Sequence, residues 1–297
     1  MSDLPIATSV FTPPETIVPI GVIQFVHGMC EHKGRYKETI DFFVNHGFIC
    51  AISDLRGHGD NIETTEDFGY FGKNGNLNFI ADIHKITKYL KKSYPNLPYI
   101  LIGHSMGSLI VRNYIKKYDD KLDGLLIIGS PSNTKPKSLA KLIIKILTLI
   151  HGERYRSDFI NKLVLGAFSA RYIHEGSSEA WLAKDKTVWE KFHQDEKCGF
   201  VFTLNGFDCL MSLMITAYSK RNWTIKNPSL PITFLSGEED ACMINKTSFV
   251  QAVNLMKDVG YQSVTYTLYE DRRHEILNDN GKQEVYQDIV NMINQYI

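Results

Sequence analysis

Several features are missing from this chain of 297 residues, and each absence removes a class of function. Net charge is absent: 33 Lys plus Arg balance 33 Asp plus Glu, so no overall field draws the protein to nucleic acid or to an anionic membrane. Cysteine is sparse. Cys30, Cys50, Cys198, Cys209 and Cys242 are odd in number, scattered and never spaced Cys-x-x-Cys, which indicates neither a disulfide framework nor a zinc site and makes them small buried apolar residues. No apolar run is long enough to cross a bilayer, and Met1-Ser2-Asp3-Leu4-Pro5 has neither a basic n-region nor an apolar h-region. A cytoplasmic location is therefore expected. Internal repeats and low-complexity segments are absent too. No cofactor motif stands out, and the histidines lack metal-ligand spacing, so neither a cofactor nor a metal is expected.

What is present is the pattern of one large globular protein, 43% hydrophobic and 22% charged. Short apolar, β-branched runs recur at 22–26, 48–52, 99–102, 125–128, 232–235 and 264–269. Helical patterns at 79–92, 106–117, 245–259 and 282–296 separate most of them. Strands alternating with helices predict an α/β protein with a mostly parallel sheet covered by helices on both faces. The arm before residue 22 holds Pro5, Pro13, Pro14 and Pro19 and has room for one edge strand.

Between Pro131 and Pro231 the alternation stops, and only helical patterns occur. The chain therefore divides into a first core segment, 1–130, a helical insertion, 131–230, and a second core segment, 231–297. An insertion that lies over the strand ends forms a cap, or lid. In the predicted helix 137–150 a narrow stripe of Lys137, Lys141 and Lys145 faces a wide apolar surface that includes Leu139, Leu142, Ile143, Ile146, Leu147 and Ile150. Such a face is expected to be buried against the body of the protein, a partner or an acyl chain.

The chemistry centres on Gly103-His104-Ser105-Met106-Gly107, which joins a predicted strand to a predicted helix. That is the context of a nucleophile elbow, a corner sharp enough to hold the serine in a strained backbone with its hydroxyl exposed. A serine hydroxyl needs a general base and a group to orient that base. In a doubly covered sheet both should follow strands downstream of residue 105, acid before histidine. His274 is the only histidine after His193 and stands in the loop after strand 264–269. The acid lies in Glu238-Glu239-Asp240; Asp240 is furthest along the loop, and Glu238 and Glu239 read as solvated turn charges. The oxyanion of a tetrahedral intermediate needs backbone donors, for which Met106, at a helix N-terminus, and Met29, in the loop after the first strand, are the candidates. His27 and His104 flank this site and are read as loop-fixing hydrogen-bonding groups, as is His58.

Taken together, these residues resemble the α/β-hydrolase superfamily, and within it the monoacylglycerol lipase and lysophospholipase group, also called the serine aminopeptidase S33 or Hydrolase-4 family. The match is carried by His27-Gly28-Met29-Cys30-Glu31-His32 with Arg35-Tyr36, by Asp54-Leu55-Arg56-Gly57-His58-Gly59, by the elbow, and by Arg273-His274-Glu275-Ile276-Leu277-Asn278. Trp181-Leu182 and the run from Cys198 to Thr203 look like bacterial lysophospholipase-like members. The resemblance implies Ser105 as nucleophile, Asp240 as acid, His274 as base and the Met29 and Met106 amides as oxyanion hole. It implies hydrolysis of carboxylic esters with an apolar acyl group through an acyl-enzyme, with a small-molecule acyl ester as partner; transient contact with a lipid surface and the oligomeric state stay open. Asp60-Asn61 departs from the small residue and serine of many relatives, and the N-terminal hairpin of many relatives is shortened. Peptidase or amidase activity by the same triad is the alternative reading, and a non-catalytic small-molecule receptor on the same fold is the alternative from another class.

Overall fold

The computed structural model describes residues 7–133 and 137–296; the first five residues, from which location was read, lie outside them. Seven strands form one sheet: β1 (Thr8–Phe11), β2 (Gly21–Val26), β3 (Phe48–Ser53), β4 (Tyr99–His104), β5 (Gly124–Ile128), β6 (Ile232–Gly237) and β7 (Val264–Tyr269). Their order is β1-β3-β2-β4-β5-β6-β7, and every pair is parallel except β1 with β3. The short proline-rich arm thus supplies one antiparallel edge strand. The helices are α1 (Lys37–Asn45), α2 (Gly75–Ser93), α3 (Met106–Tyr118), α4 (Lys137–His151), α5 (Asp158–Tyr172), α6 (Lys186–Gln194), α7 (Leu204–Ala217), α8 (Lys246–Val259) and α9 (Lys282–Tyr296).

The two-residue period of the strands sorts their side chains into two cores. Val22, Ile49, Leu101 and Ile127 pack with Phe79 and Ile83 of α2, Ile110 and Tyr114 of α3 and Phe249 of α8. Their neighbours Ile23, Cys50, Ile102 and Leu126 pack on the other face with Phe43 of α1 and Tyr286 and Ile289 of α9. Strands buried on both faces explain the continuous apolar runs in the sequence. All five cysteines are buried and free. Helix α1 was not foreseen; only Thr39, Ile40 and Phe43 of it are buried, too few positions for a periodic signal.

Helices α4–α7 all lie between β5 and β6, and the core-facing side chains Ile144, Phe207 and Met211 join the first core. Of the coverings expected for the apolar face of α4, the body of the protein supplies only part. Only Ala140 and Ile144 are buried, whereas Leu142, Leu149 and Ile150 are 54%, 87% and 67% exposed. The physical reason is geometric: one helix resting on α7 can bury a stripe of its surface, and the apolar residues of α4 cover more than a stripe. No helix among the described residues is long and apolar enough to cross a membrane.

Asp60 and Asn61, where the sequence departs from many relatives, have definite contacts. Asp60 pairs with Lys33 and with Lys197 of the insertion, each at 2.6 Å, and Asn61 accepts from Ala7 N–H at 3.0 Å and donates to the Asp54 carbonyl. Hydrogen bonds from Lys197 and Lys33 hold the Asp60 carboxyl down at about 2. A carboxyl depressed in the folded state stabilises it above the unfolded value, and that contribution fades as pH falls through the folded value. Asp60 is half exposed, so screening keeps the effect small. Asp60→Asn should lower unfolding free energy by about 0.2–1 kcal/mol at neutral pH. The difference from wild type, measured by urea unfolding, should be full above about pH 4 and shrink toward pH 2. A difference that grows on acidification would contradict this pairing.

Candidate active site

Ser105 sits between the end of β4 and the start of α3 with φ 53° and ψ −116°, one of few non-glycine residues at positive φ. Side chains avoid this region at a cost of about 1–3 kcal/mol. Close packing imposes it. A Cβ on Gly103 would lie 2.6 Å from the Gly107 carbonyl, and one on Gly107 would overlap the Val26 carbonyl of β2. With hydrogen at both positions, α3 runs tight against β2 and β4, and the Ser105 N–H reaches the Ile128 carbonyl of β5 at 2.9 Å.

The three residues singled out by the sequence come together above this corner. His274 Nδ1 lies 3.0 and 3.1 Å from the two carboxylate oxygens of Asp240, both residues being fully buried. Asp240 also accepts from Cys242 N–H at 2.8 Å and from the Ser236 hydroxyl at 3.0 Å. Burial opposes its charge, but the His274 ring and these donors prevail and hold its carboxyl below the ordinary value. Since Nδ1 is taken, Nε2 is the nitrogen left to His274, and His274 and Ser105 line the same cavity. Glu238 is exposed; Glu239 pairs with Lys184 at 2.8 Å, and its carbonyl accepts from Tyr172 OH.

The candidate donors have a shared property. Gly28 N–H is capped by Glu31 at 2.5 Å and Cys30 N–H by His58 at 3.2 Å, whereas Met29 N–H between them has no partner among the described residues. Met106 N–H, first in α3, has none either. Both residues line a cavity with Ser105. Unpaired amides beside a serine hydroxyl, one at a helix N-terminus, form a place for negative charge.

The three flanking histidines divide by their partners. His27 gives Nδ1–H to the Gly28 carbonyl at 2.8 Å and accepts Leu55 N–H at Nε2 at 2.9 Å. His58 does the same between the Arg56 carbonyl and Cys30 N–H, and burial lowers its value to about 3. One donor and one acceptor each suit a neutral ring. His104 instead faces two acceptors, Glu31 at 3.4 Å and the His274 carbonyl at 3.3 Å, which suits the cation. Burial works against that charge, but Glu31 outweighs it and raises the value.

Sequence reasoning assigned no role to Glu31, which lies at the centre of this arrangement. Only 3% exposed, it accepts from Gly28 N–H, Tyr36 OH at 3.0 Å and Arg35 at 2.7 Å as well as His104. Arg35 also clasps Glu275, next to His274, through two hydrogen bonds of 2.8 and 2.6 Å. The available signal was a carboxylate five residues past an apolar strand with an arginine four further on, a pairing whose second acid lies 240 residues away. The insertion completes the support: Arg273 donates to the Ala180 carbonyl at 2.6 Å and pairs with Glu175, and Glu275 N–H donates to the Leu182 carbonyl at 2.8 Å.

Two trios of possible metal ligands occur among the described residues, Asp240 with Cys242 and His274, and His32 with Asp195 and Cys198. Burial raises both thiols, away from the thiolate a metal needs, and each His–Asp pair already satisfies itself.

Against known proteins, the family described as serine aminopeptidase, S33, matches residues 18–281. A monoacylglycerol lipase of Mycolicibacterium smegmatis is 28% identical over 60% of this chain and 65% of its own, just under two thirds of its length. Phospholipase YtpA of Bacillus subtilis is 23% identical over 94% of this chain and 97% of its own. Among solved structures, a thermostable carboxyl esterase of Bacillus coagulans superposes with a TM-score of 0.89 at 25% identity, covering 97% of this chain and 93% of that one. The sheet and its helices are thus the α/β-hydrolase fold.

Removing the Glu31 charge leaves Arg35 and His104 incompletely compensated in the interior. Glu31→Gln should cost about 3–5 kcal/mol of stability in chemical unfolding, whereas Glu239→Gln, on a partly exposed pair, should cost under about 1 kcal/mol. Equal costs would mean that Glu31 is not the centre of the network.

Proposed function

The chain belongs to the serine aminopeptidase S33, or Hydrolase-4, family, and on that premise we propose that it is a serine hydrolase of carboxylic esters bearing an apolar acyl group. The observation that carries the reading is the Asp240–His274 pair beside a serine held at positive φ next to two unpaired amides. Ser105 attacks the ester carbonyl while His274 Nε2 takes its proton. Asp240 fixes the ring tautomer and offsets the imidazolium charge, and the amides of Met29 and Met106 receive the oxyanion. His274 then protonates the leaving alcohol, and a water activated by the same nitrogen releases the acid from the acyl-enzyme. The Ser105 hydroxyl makes no hydrogen bond among the described residues but shares a cavity with His274, and the proposed proton transfer requires that the two close up once substrate is seated.

The acyl group belongs in the larger cavity at Ser105, about 380 Å³, walled by side chains such as Ala140, Ile143, Val164, Phe168, Leu210 and Met214. Most of that wall comes from α4, α5 and α7, which makes residues 131–230 a cap over the strand ends. Among the described residues its lining has no carboxylate on this side to hold the free ammonium of an aminoacyl group, which favours the ester reading over the peptidase one. Leu139 and Leu163 border the cavity and are also exposed, so its mouth opens on the apolar surface of α4 and α5, where a lipid aggregate would present its chains.

Three outcomes test this function. Ser105→Ala or His274→Ala should lower turnover by several powers of ten, and Asp240→Asn by about 10³–10⁴-fold, far more than Glu238→Gln or Glu239→Gln. A fluorophosphonate should label wild type but not Ser105→Ala; absence of labelling in folded protein would favour a receptor. With esters of increasing acyl length, kcat/KM should rise up to about fourfold per methylene. The rise should level off at about twelve carbons, the number of groups of about 30 Å³ that a cavity of about 380 Å³ holds. A flat profile would detach the acyl chain from this cavity.

A further inference from the structure

A second, smaller cavity of about 150 Å³ meets the acyl cavity at Ser105 and differs from it in kind. Its walls include Glu31, Glu179, Glu275, Ser178, Trp181 and Phe200, and no lysine or arginine lines it among the described residues. As the space on the other side of the nucleophile, it is where the leaving alcohol departs. Trp181, whose ring centroid is 4.9 Å from that of His274, stands beside the nitrogen that protonates the alcohol.

The charges around this space do not cancel. Glu31 and Glu275 both pair with Arg35, and Glu31 also meets the His104 ring. Glu179 is different. Its carboxylate accepts from the Ser177 and Ser178 hydroxyls, both at 2.7 Å, and no cation pairs with it among the described residues. It is half buried, so its field reaches the cavity less screened than that of a surface acid. A positively charged group here meets an uncompensated carboxylate and the indole of Trp181, both favourable to it. A phosphate or carboxylate meets the same carboxylate, and among the described lining residues no lysine or arginine offsets the repulsion.

We infer that the alcohol side of the cleft selects by charge: it takes esters of cationic amino alcohols of the choline type ahead of uncharged alcohols, and uncharged ahead of anionic ones. The volume suits this, since about 150 Å³ holds roughly five groups of the size of water, near that of a trimethylammonium head. The inference rests on the ester-hydrolase reading for rates, though not for binding.

The test compares three hexanoyl esters at low ionic strength: hexanoylcholine, its uncharged carbon isostere 3,3-dimethylbutyl hexanoate, and the hexanoyl ester of 2-hydroxyethylphosphonate. In wild type kcat/KM for the choline ester should exceed that of the isostere by about 3–30-fold, and the phosphonate should fall below the isostere by about tenfold. Salt should compress both ratios. Glu179→Gln should bring the choline-to-isostere ratio to within about twofold, the remainder coming from Trp181. Calorimetric binding of the same esters to Ser105→Ala should give the same order without turnover. If no ester is hydrolysed, the hydrolase reading fails while the binding order still decides this inference. Equal affinities for the choline ester and its isostere, or a ratio unchanged by Glu179→Gln, would overturn it.

Discussion

The approach of α3 to β2, allowed by hydrogen atoms at Gly103 and Gly107, is the constraint on which the rest of the site depends. It forces Ser105 into a backbone conformation that costs about 1–3 kcal/mol. The surrounding packing sustains that cost: β4 is buried at all six positions and α3 at most of its length. The same approach sets Met106 as the first residue of a helix that points its positive end at the serine. Strain, an unpaired amide and a helix dipole are thus three consequences of one close contact, and a side chain at residue 107 would remove all three together.

A second constraint operates in the loops. β2 and β7 deliver the Met29 loop and the His274 loop to the same end of the sheet, but a sheet end alone does not fix loop geometry to the few tenths of an ångström that acyl transfer needs. The ion cluster of Glu31, Arg35, Glu275 and His104 does so. It joins the residue before Met29, the residue before Ser105 and the residue after His274 through one set of buried hydrogen bonds. Such a cluster is weak evidence for stability, because desolvating four charged groups costs about as much as their attraction returns. Its value is positional, since each member has few alternative partners in the interior.

The architecture was legible in the sequence to the degree that local signals determined it. Strands β2 to β6 appear as apolar runs because both faces of the sheet are covered there, β7 appears through its β-branched and aromatic residues although it is partly exposed, and α2, α3, α8 and α9 appear because each buries a continuous stripe. Helix α1 shows no such stripe, and β1 reaches only partial burial at a sheet edge. At the site, the elbow was readable because strand, turn and helix are contiguous. Asp240 and His274 were readable because strand ends point to loops. Glu31 was not, since its role is set by Glu275 and His104, 244 and 73 residues distant, and sequence spacing carries no information about such partners. What covers α4 was left open for the opposite reason: its composition reports how much apolar surface exists, not how much a neighbouring helix can cover.

The insertion is more closely bound to the chemistry than a cover would be. Ala180 and Leu182 hold the loop of His274, Glu175 pairs with Arg273, and Tyr172 holds the backbone of the loop that carries Asp240. Residues 172–184 must therefore stay in place for Asp240 and His274 to stay aligned. Helices α4 and the first turns of α5 carry few such ties and leave much of their apolar surface to solvent. The apolar side of the cleft is thus walled largely by helices with few ties to the core, and the polar side by a segment bonded to the loops of His274 and Asp240. On the proposed reading, that division would set a tolerant acyl side against a more constrained alcohol side.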